Sequence, residues 1–227
     1  MGELIDISVA AAAGKFPSRP RAGLVSISGG AGALMADYCD ELGLAVPPLP
    51  KPAQAKLMKL FPFGSALNPI DPTALWGQDM SVLSASMETL LKEGGHDTVV
   101  LFGSTIGINE FNRVRFEEHI IPLREKYPNP LMVLSLLGAP ELIQKWRDKG
   151  FLIYEDARRA IEVTAALAKF APIVAGSRKF PARPRVPENL KIKPGRTFNE
   201  ADAMGALQKA GIKFVRRRLA TSRKAAQ

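Results

Sequence analysis

AGLVSISGGAGALMADYC, residues 22–39, is the stretch on which the reading of this chain turns. Gly23 to Ser28 is an apolar, partly β-branched run of strand length. Gly29-Gly30-Ala31-Gly32 follows, and the chain then takes on helical spacing. Ala31, Leu34, Met35, Tyr38, Cys39 and Leu42 recur on one face, while Asp37, Asp40 and Glu41 fall on the other. Strand, glycine turn, helix aims free backbone N–H groups and a positive dipole end at one point, where an anion can sit. The glycines are expected to supply positive φ angles and to let an anion approach the backbone closely. No acidic residue lies between Ser26 and Met35. The turn is neither a GxGxxG fingerprint nor a P-loop. On these residues alone, an anion-binding turn and a purely structural tight turn stand equally open.

Working outward, the chain alternates strands and helices. A helix is expected over 3–13, then a proline connector into the first strand. Residues 44–46 read as a short second strand and 53–60 as a short helix. Phe63 to Thr73 carries Pro69 and Pro72 and so reads as an extended segment entering a loop. An amphipathic helix over 79–92 ends at Gly94-Gly95. Residues 98–103 form the clearest buried strand, with Ser104-Thr105-Ile106-Gly107 as its carboxyl-end loop. A helix over 109–126, a strand over 131–137, a helix over 141–148, a strand over 151–154 and a helix over 155–170 complete the series. Continuous apolar strands alternating with helices predict an α/β fold, a parallel sheet with helices on both faces. Ligands of such folds bind beyond the carboxyl ends of the strands. The loops after Ser28, Leu67 and Phe102 are therefore expected to converge on one rim. Asn68, Asp71, Ser104 and Thr105 become possible rim residues beside Ser28, Gly29, Gly30, Ala31 and Gly32.

The chain has 227 residues, is 46% hydrophobic and carries a net charge of +9. That charge is uneven. Residues 171–227 hold 14 Lys and Arg against 3 Asp and Glu, which leaves 17 against 19 for residues 1–170. The basicity belongs to the tail, which has only three phenylalanines for stacking, so nucleic acid is a minor reading. No run approaches the ~20 apolar residues of a membrane span. Residues 1–13 lack the basic start of a secretion signal. Cys39 is the one cysteine, which excludes an intrachain disulfide and fits a reducing cytoplasm. His96 and His119 have no second ligand at metal spacing. No catalytic triad or carboxylate pair assembles, so no catalytic residue and no metal ligand is assigned. Residues 171–198, with five prolines, read as a linker. Asn199 then caps a helix over 200–210, Gly211 ends it, and 212–215 reads as a strand.

The order VSISGGAGALMADYCDELGL, then ALNPIDPTA, then TVVLFGSTIG resembles the ligase, flavodoxin-like domain of the nucleoside-diphosphate-forming acyl-CoA synthetases, in the succinyl-CoA synthetase superfamily. The resemblance covers residues 20–170. Residues 199–227, with the end of the linker before them, resemble the opening of the ATP-grasp domain of fused members. Residues 1–19 resemble the helix end and connector leaving a preceding domain. It implies a reaction in which acyl-CoA, phosphate and ADP interconvert with a carboxylic acid, CoA and ATP by way of a phosphohistidine. The family carries that histidine in an SHTG-type segment of another domain, and neither His96 nor His119 matches it. The chain is thus expected to be a fragment, inactive by itself, whose Ser28–Gly32 turn clamps the phosphate. CoA, ATP or ADP and Mg2+ are implied for the complete enzyme only. The implied partners are the phosphohistidine-bearing, CoA-binding and ATP-grasp domains, and a homo-oligomer is expected. Rival readings are a regulatory synthetase-like domain of a protein acetyltransferase, a free-standing phosphate or CoA-metabolite sensor, and a ligand-free assembly domain.

Overall fold

A computed structural model describes residues 2–176, 197–214 and 220. The chain divides into two compact units, Met1–Arg178 and Lys179–Gln227. In the first, α1 (Gly2–Ala12) leads to β1 (Gly23–Ser26), α2 (Gly29–Leu42) and α3 (Lys51–Leu60). A 3-10 turn at Thr73–Gly77 precedes α4 (Ser81–Lys92), β2 (Thr98–Gly107) and α5 (Glu110–Lys126). Then come β3 (Leu131–Gly138), α6 (Pro140–Asp148), β4 (Leu152–Tyr154) and α7 (Ala157–Val174). All four strands are parallel, in the order β1-β2-β3-β4.

Neighbouring residues on a strand face opposite sides of the sheet, and the apolar runs therefore feed two cores. Val25, Val99, Leu101, Met132, Leu134 and Ile153 pack with residues of α3, α4, α5 and α6. Leu24, Val100, Val133, Leu152 and Tyr154 pack with residues of α1, α2 and α7. Layers on both faces are what continuous apolar strands require. Trp146 is the largest side chain fully withdrawn from solvent. It meets Phe116 edge-on at 5.6 Å, and its Nε1–H donates to Glu117 Oε1 at 2.8 Å.

Several expectations change in detail. Residues 44–46 do not form a strand: Ala45 makes a single parallel bridge to Arg21. Pro47 and Pro48 follow at once and have no N–H to extend the ladder. Strand β2 continues through Ser104 to Gly107 rather than ending at Gly103, with register shifts at Ser104, whose φ is 48°. Its end can lie against β3 because Gly107 has no side chain: a Cβ there would stand 2.4 Å from the Leu137 carbonyl oxygen. Leu34, expected on the buried face of α2, is 53% exposed. Helix α7 runs on to Val174 with Pro172 inside it, into the stretch read as linker; residues 177–196 lie outside the described residues. Helix α1 belongs to the same unit as the sheet, with Ala10 buried in its second core.

In the second unit, α8 (Glu200–Lys209) is capped by Asn199, whose Oδ1 accepts from Asp202 N–H at 2.8 Å. Gly211 follows in the left-handed conformation, with φ of 88°. Residues 212–214 are not a strand, since no strand of this unit lies among the described residues to pair with them; Val215 lies outside those residues. Among the described residues no helix is long and apolar enough to cross a membrane.

Replacing Trp146 with Ala is expected to lower unfolding free energy by about 3–5 kcal/mol, because the cavity lies between two helices and a strand that cannot all collapse into it. Urea unfolding of the Trp146→Ala chain checks this, and a change below ~1 kcal/mol would contradict the packing described.

Candidate anion site at the amino end of helix α2

The site is assembled on β1, whose two edges are filled by different means. Along one edge runs the β2 ladder, from Gly23↔Val99 to Ser26↔Phe102. On the other edge, Ala22 N–H donates to the Ala45 carbonyl at 2.9 Å and Ser26 N–H to the Ile70 carbonyl at 2.9 Å. Between these bridges the partner is a side chain. Asn68 Oδ1 accepts Leu24 N–H at 2.8 Å, and its Nδ2 donates to the carbonyls of Ala22 at 2.9 Å and Pro47 at 3.0 Å. The amide thus stands in for a missing strand residue. It also commits the polar atoms of Asn68 to the fold and away from the rim.

At the carboxyl end of β1 the chain turns into α2 through Ser26, Ile27 and Ser28. Ser26 is fully buried. Its hydroxyl donates to the Ser28 carbonyl at 2.6 Å and accepts the Ser28 N–H at 3.1 Å, which closes the turn from beneath. Nothing in the sequence singles out Ser26, which reads as one more residue of the strand run. Ser28 is the N-cap, extended at φ −145° and ψ 121°, but its side chain caps nothing. The first helical bond runs from Gly32 N–H to the Ser28 carbonyl at 2.9 Å. The N–H groups of Gly29, Gly30 and Ala31 precede it and have no intrahelical acceptor. All three aim out of the amino end of α2, where the helix dipole is positive.

Of the two purposes expected of the glycines, the conformational one is not served. None of Gly29, Gly30 and Gly32 has positive φ. What they provide is space: nothing lies within 4 Å of where a Cβ on Gly30 would stand. Around Gly29 the space is bounded by Asp71, whose Oδ2 would lie 3.0 Å from a Cβ on that residue. The chain segment 26–35 has no acid of its own, but the fold brings one to it. Asp71 is fixed by paired backbone bonds with Ser65 at 2.8 and 2.9 Å, and its Oδ1 accepts Thr73 N–H at 2.7 Å. One carboxylate oxygen remains at the helix end.

Ser104 and Thr105 lie on the irregular end of β2, and no hydrogen bond joins either to the glycine turn. His96 is buried at the opposite, amino end of the sheet, before β2. His119 on α5 faces Asp79, whose carboxyl lies below its ordinary range chiefly through its bond from Ser81. Burial pushes the Cys39 thiol up to about 12, so it is not a nucleophile at neutral pH. Among the described residues no group of three or more His, Cys, Asp or Glu is placed to hold a metal ion.

Asn68→Ala strands the buried Leu24 N–H and Ala22 carbonyl, at about 1–3 kcal/mol for each, so a loss of about 2–5 kcal/mol is expected in urea unfolding. Asn68→Asp should be no better, because its second oxygen meets the Ala22 and Pro47 carbonyls. Native-state alkylation of Cys39 by iodoacetamide should proceed at the rate of unfolding.

No protein-family model matches the chain, and no curated protein matches it. Its fold, however, matches solved structures. It overlays a protein of Pyrococcus horikoshii OT3 with a TM-score of 0.61 at 19% identity, over 75% of this chain and 40% of that one. It overlays the dinucleotide-forming acetyl-coenzyme A synthetase 1 of Ca. Korarchaeum cryptofilum in its apo form with a TM-score of 0.62, at 20% identity and over 78% of this chain. For the same synthetase in complex with phosphate and ADP the TM-score is 0.63, at 20% identity and over 80% of this chain. The chain spans about 40% of the length of each of these proteins. At this level of identity the likeness is one of fold: an α/β, flavodoxin-like domain shared with the matching part of acetyl-coenzyme A synthetase.

Proposed function

We propose that this chain is the phosphate-clamping ligase domain of a nucleoside-diphosphate-forming acyl-CoA synthetase. The complete enzyme would interconvert acyl-CoA, phosphate and ADP with acid, CoA and ATP through an acyl phosphate and a phosphohistidine. The observation that carries this reading is the set of N–H groups at Gly29, Gly30 and Ala31, open to solvent above Gly30 and set at the carboxyl end of β1. The fold shared with acetyl-coenzyme A synthetase supports it. Charge-assisted N–H bonds contribute about 1.5–3 kcal/mol each, and a helix terminus up to ~2 kcal/mol.

In this reading the chain's own work is to bind and orient a phosphoryl group. The histidine that carries it, the CoA pocket and the nucleotide lobes with their Mg2+ belong to partner domains, and the chain by itself does not turn over. A cytoplasmic location, which the single cysteine fits, and a homo-oligomer are part of the same proposal. Asp71 gives the clamp selectivity. A carboxylate oxygen beside the helix end repels a fully ionised anion but accepts a hydrogen bond from a protonated phosphate oxygen. Sulfate has no such proton at neutral pH.

Titration calorimetry of the full chain with inorganic phosphate and with sulfate tests this. Phosphate should bind in the millimolar range and sulfate about tenfold more weakly, the equivalent of one charge-assisted bond at ~1.4 kcal/mol. Asp71→Asn should narrow that gap, and Gly30→Val should abolish binding of both by filling the open space. If neither anion bound, or if Gly30→Val bound phosphate normally, the clamp would be abandoned in favour of a structural turn.

A further inference from the structure

At the amino end of the sheet, opposite the candidate site, the turn from α4 into β2 holds an unusual concentration of unpaired polar atoms. Among the described residues, five buried side-chain polar atoms have no hydrogen-bond partner: Arg21 Nε, His96 Nε2, Asp97 Oδ1, Thr98 Oγ1 and Ser135 Oγ. All but the last lie in this corner. Extending the β1–β2 register backward from Gly23↔Val99 places Arg21 opposite Asp97.

His96 is only 4% exposed. Its ring is folded back so that Nδ1 meets the Leu90 carbonyl at 3.1 Å, which leaves Nε2 as the buried, unpaired nitrogen. Gly94 makes the fold-back possible. A Cβ on it would stand 2.6 Å from Nδ1 and 2.7 Å from the Leu90 oxygen. The charged groups that act on the ring are Arg21 from the connector before β1 and Asp97 beside it; α4 contributes the Leu90 carbonyl.

Asp97 is divided between two uses. Its Oδ2 accepts the Ser18 N–H at 2.6 Å and the Ser18 hydroxyl. Arg21 adds a second tie through a bond from Nη2 to the Gly95 carbonyl. These contacts fasten the connector of residues 13–22, and with it α1, to the start of β2. Asp97 Oδ1 remains buried and unpaired.

We infer that the 93–98 turn is a proton-operated catch on the connector: neutral His96 leaves Asp97 to hold Ser18, and protonation at Nε2 draws the Asp97 carboxylate to the imidazolium and frees Ser18. A buried Nε2–H beside the Arg21 guanidinium needs an anionic acceptor, and Asp97, the next residue in the chain, carries a buried carboxylate oxygen without a partner. Burial, the largest cause, and Arg21 hold the His96 pKa below its ordinary 6.5. The folded state therefore prefers neutral His96. Its contribution to stability is complete above the unfolded pKa and declines as pH falls through that value toward the folded one. The catch is closed at neutral pH and opens in mild acid.

Amide exchange and proton NMR on the full chain, from about pH 7.5 to about pH 4.5, test the catch. After correction for intrinsic rates, protection of the Ser18 amide should fall at least about tenfold relative to Val99–Leu101 as the pH is lowered. The midpoint should coincide with the titration of the His96 ring. In His96→Gln the fall should vanish, and in Asp97→Ala, which removes the acceptor, Ser18 should be unprotected throughout. The inference is overturned if Ser18 keeps its protection while His96 titrates, if His96 stays neutral over the whole range, or if His96→Gln loses protection as the wild type does. Should His96→Gln fail to fold, the coincidence of the two wild-type midpoints decides, and separate midpoints overturn it.

Discussion

The pairing of β1 on both edges is the constraint from which the rest of the structure follows. Four residues, Gly23–Ser26, are buried along their whole length, so every backbone donor and acceptor among them must find a partner or cost about 1–3 kcal/mol. One edge is met by a regular parallel ladder to β2. The other is met piecemeal by Ala45, the Asn68 side chain and Ile70. Because Asn68 and Ile70 must sit there, Pro69 is held near Gly32 and Asp71 near Gly29. The geometry at the amino end of α2 is thus a by-product of satisfying a strand.

That geometry sets two electrostatic influences against each other. Three unpaired N–H groups and a positive helix end attract an anion. The remaining oxygen of Asp71 is itself an anion at the same place. Under the function proposed above, the balance favours a ligand that can both accept several hydrogen bonds and donate one. Shielding is slight, since Gly29 and Gly30 are exposed, so bonds made there stay comparable with those to water until another surface covers them.

The two ends of the sheet are built on opposite plans. At the carboxyl end, backbone donors are left open toward solvent above small residues. At the amino end, side chains with charge or hydrogen-bonding capacity are buried around a glycine turn and only partly paired. The first arrangement suits exchange of a ligand, whereas the second suits a conformational response, because an unpaired buried group is sensitive to any change in its neighbours' charge.

The sequence by itself determined the layered α/β architecture. Apolar runs such as TVVLF and LMVLSLL are too continuous for a sheet with a solvated face, and the glycine-marked switch into helical spacing at 29–32 marked the amino end of α2 as the candidate site. It also located the cap Asn199, because an Asn before a helix acts through residues two or three positions away; Asn109 and Asp156, read as helix residues, proved to be caps as well. Only the tertiary structure decided that residues 44–46 shrink to one bridge, that β2 carries Ser104 and Thr105 within the sheet, and that Asn68 serves a strand edge. It also decided that the acid-free stretch 26–35 faces the carboxylate of Asp71. The division has one physical cause. Periodicity, capping and turn chemistry act over a few residues and are written locally, whereas the partner of a strand edge or a helix end is chosen by what the whole chain brings into reach.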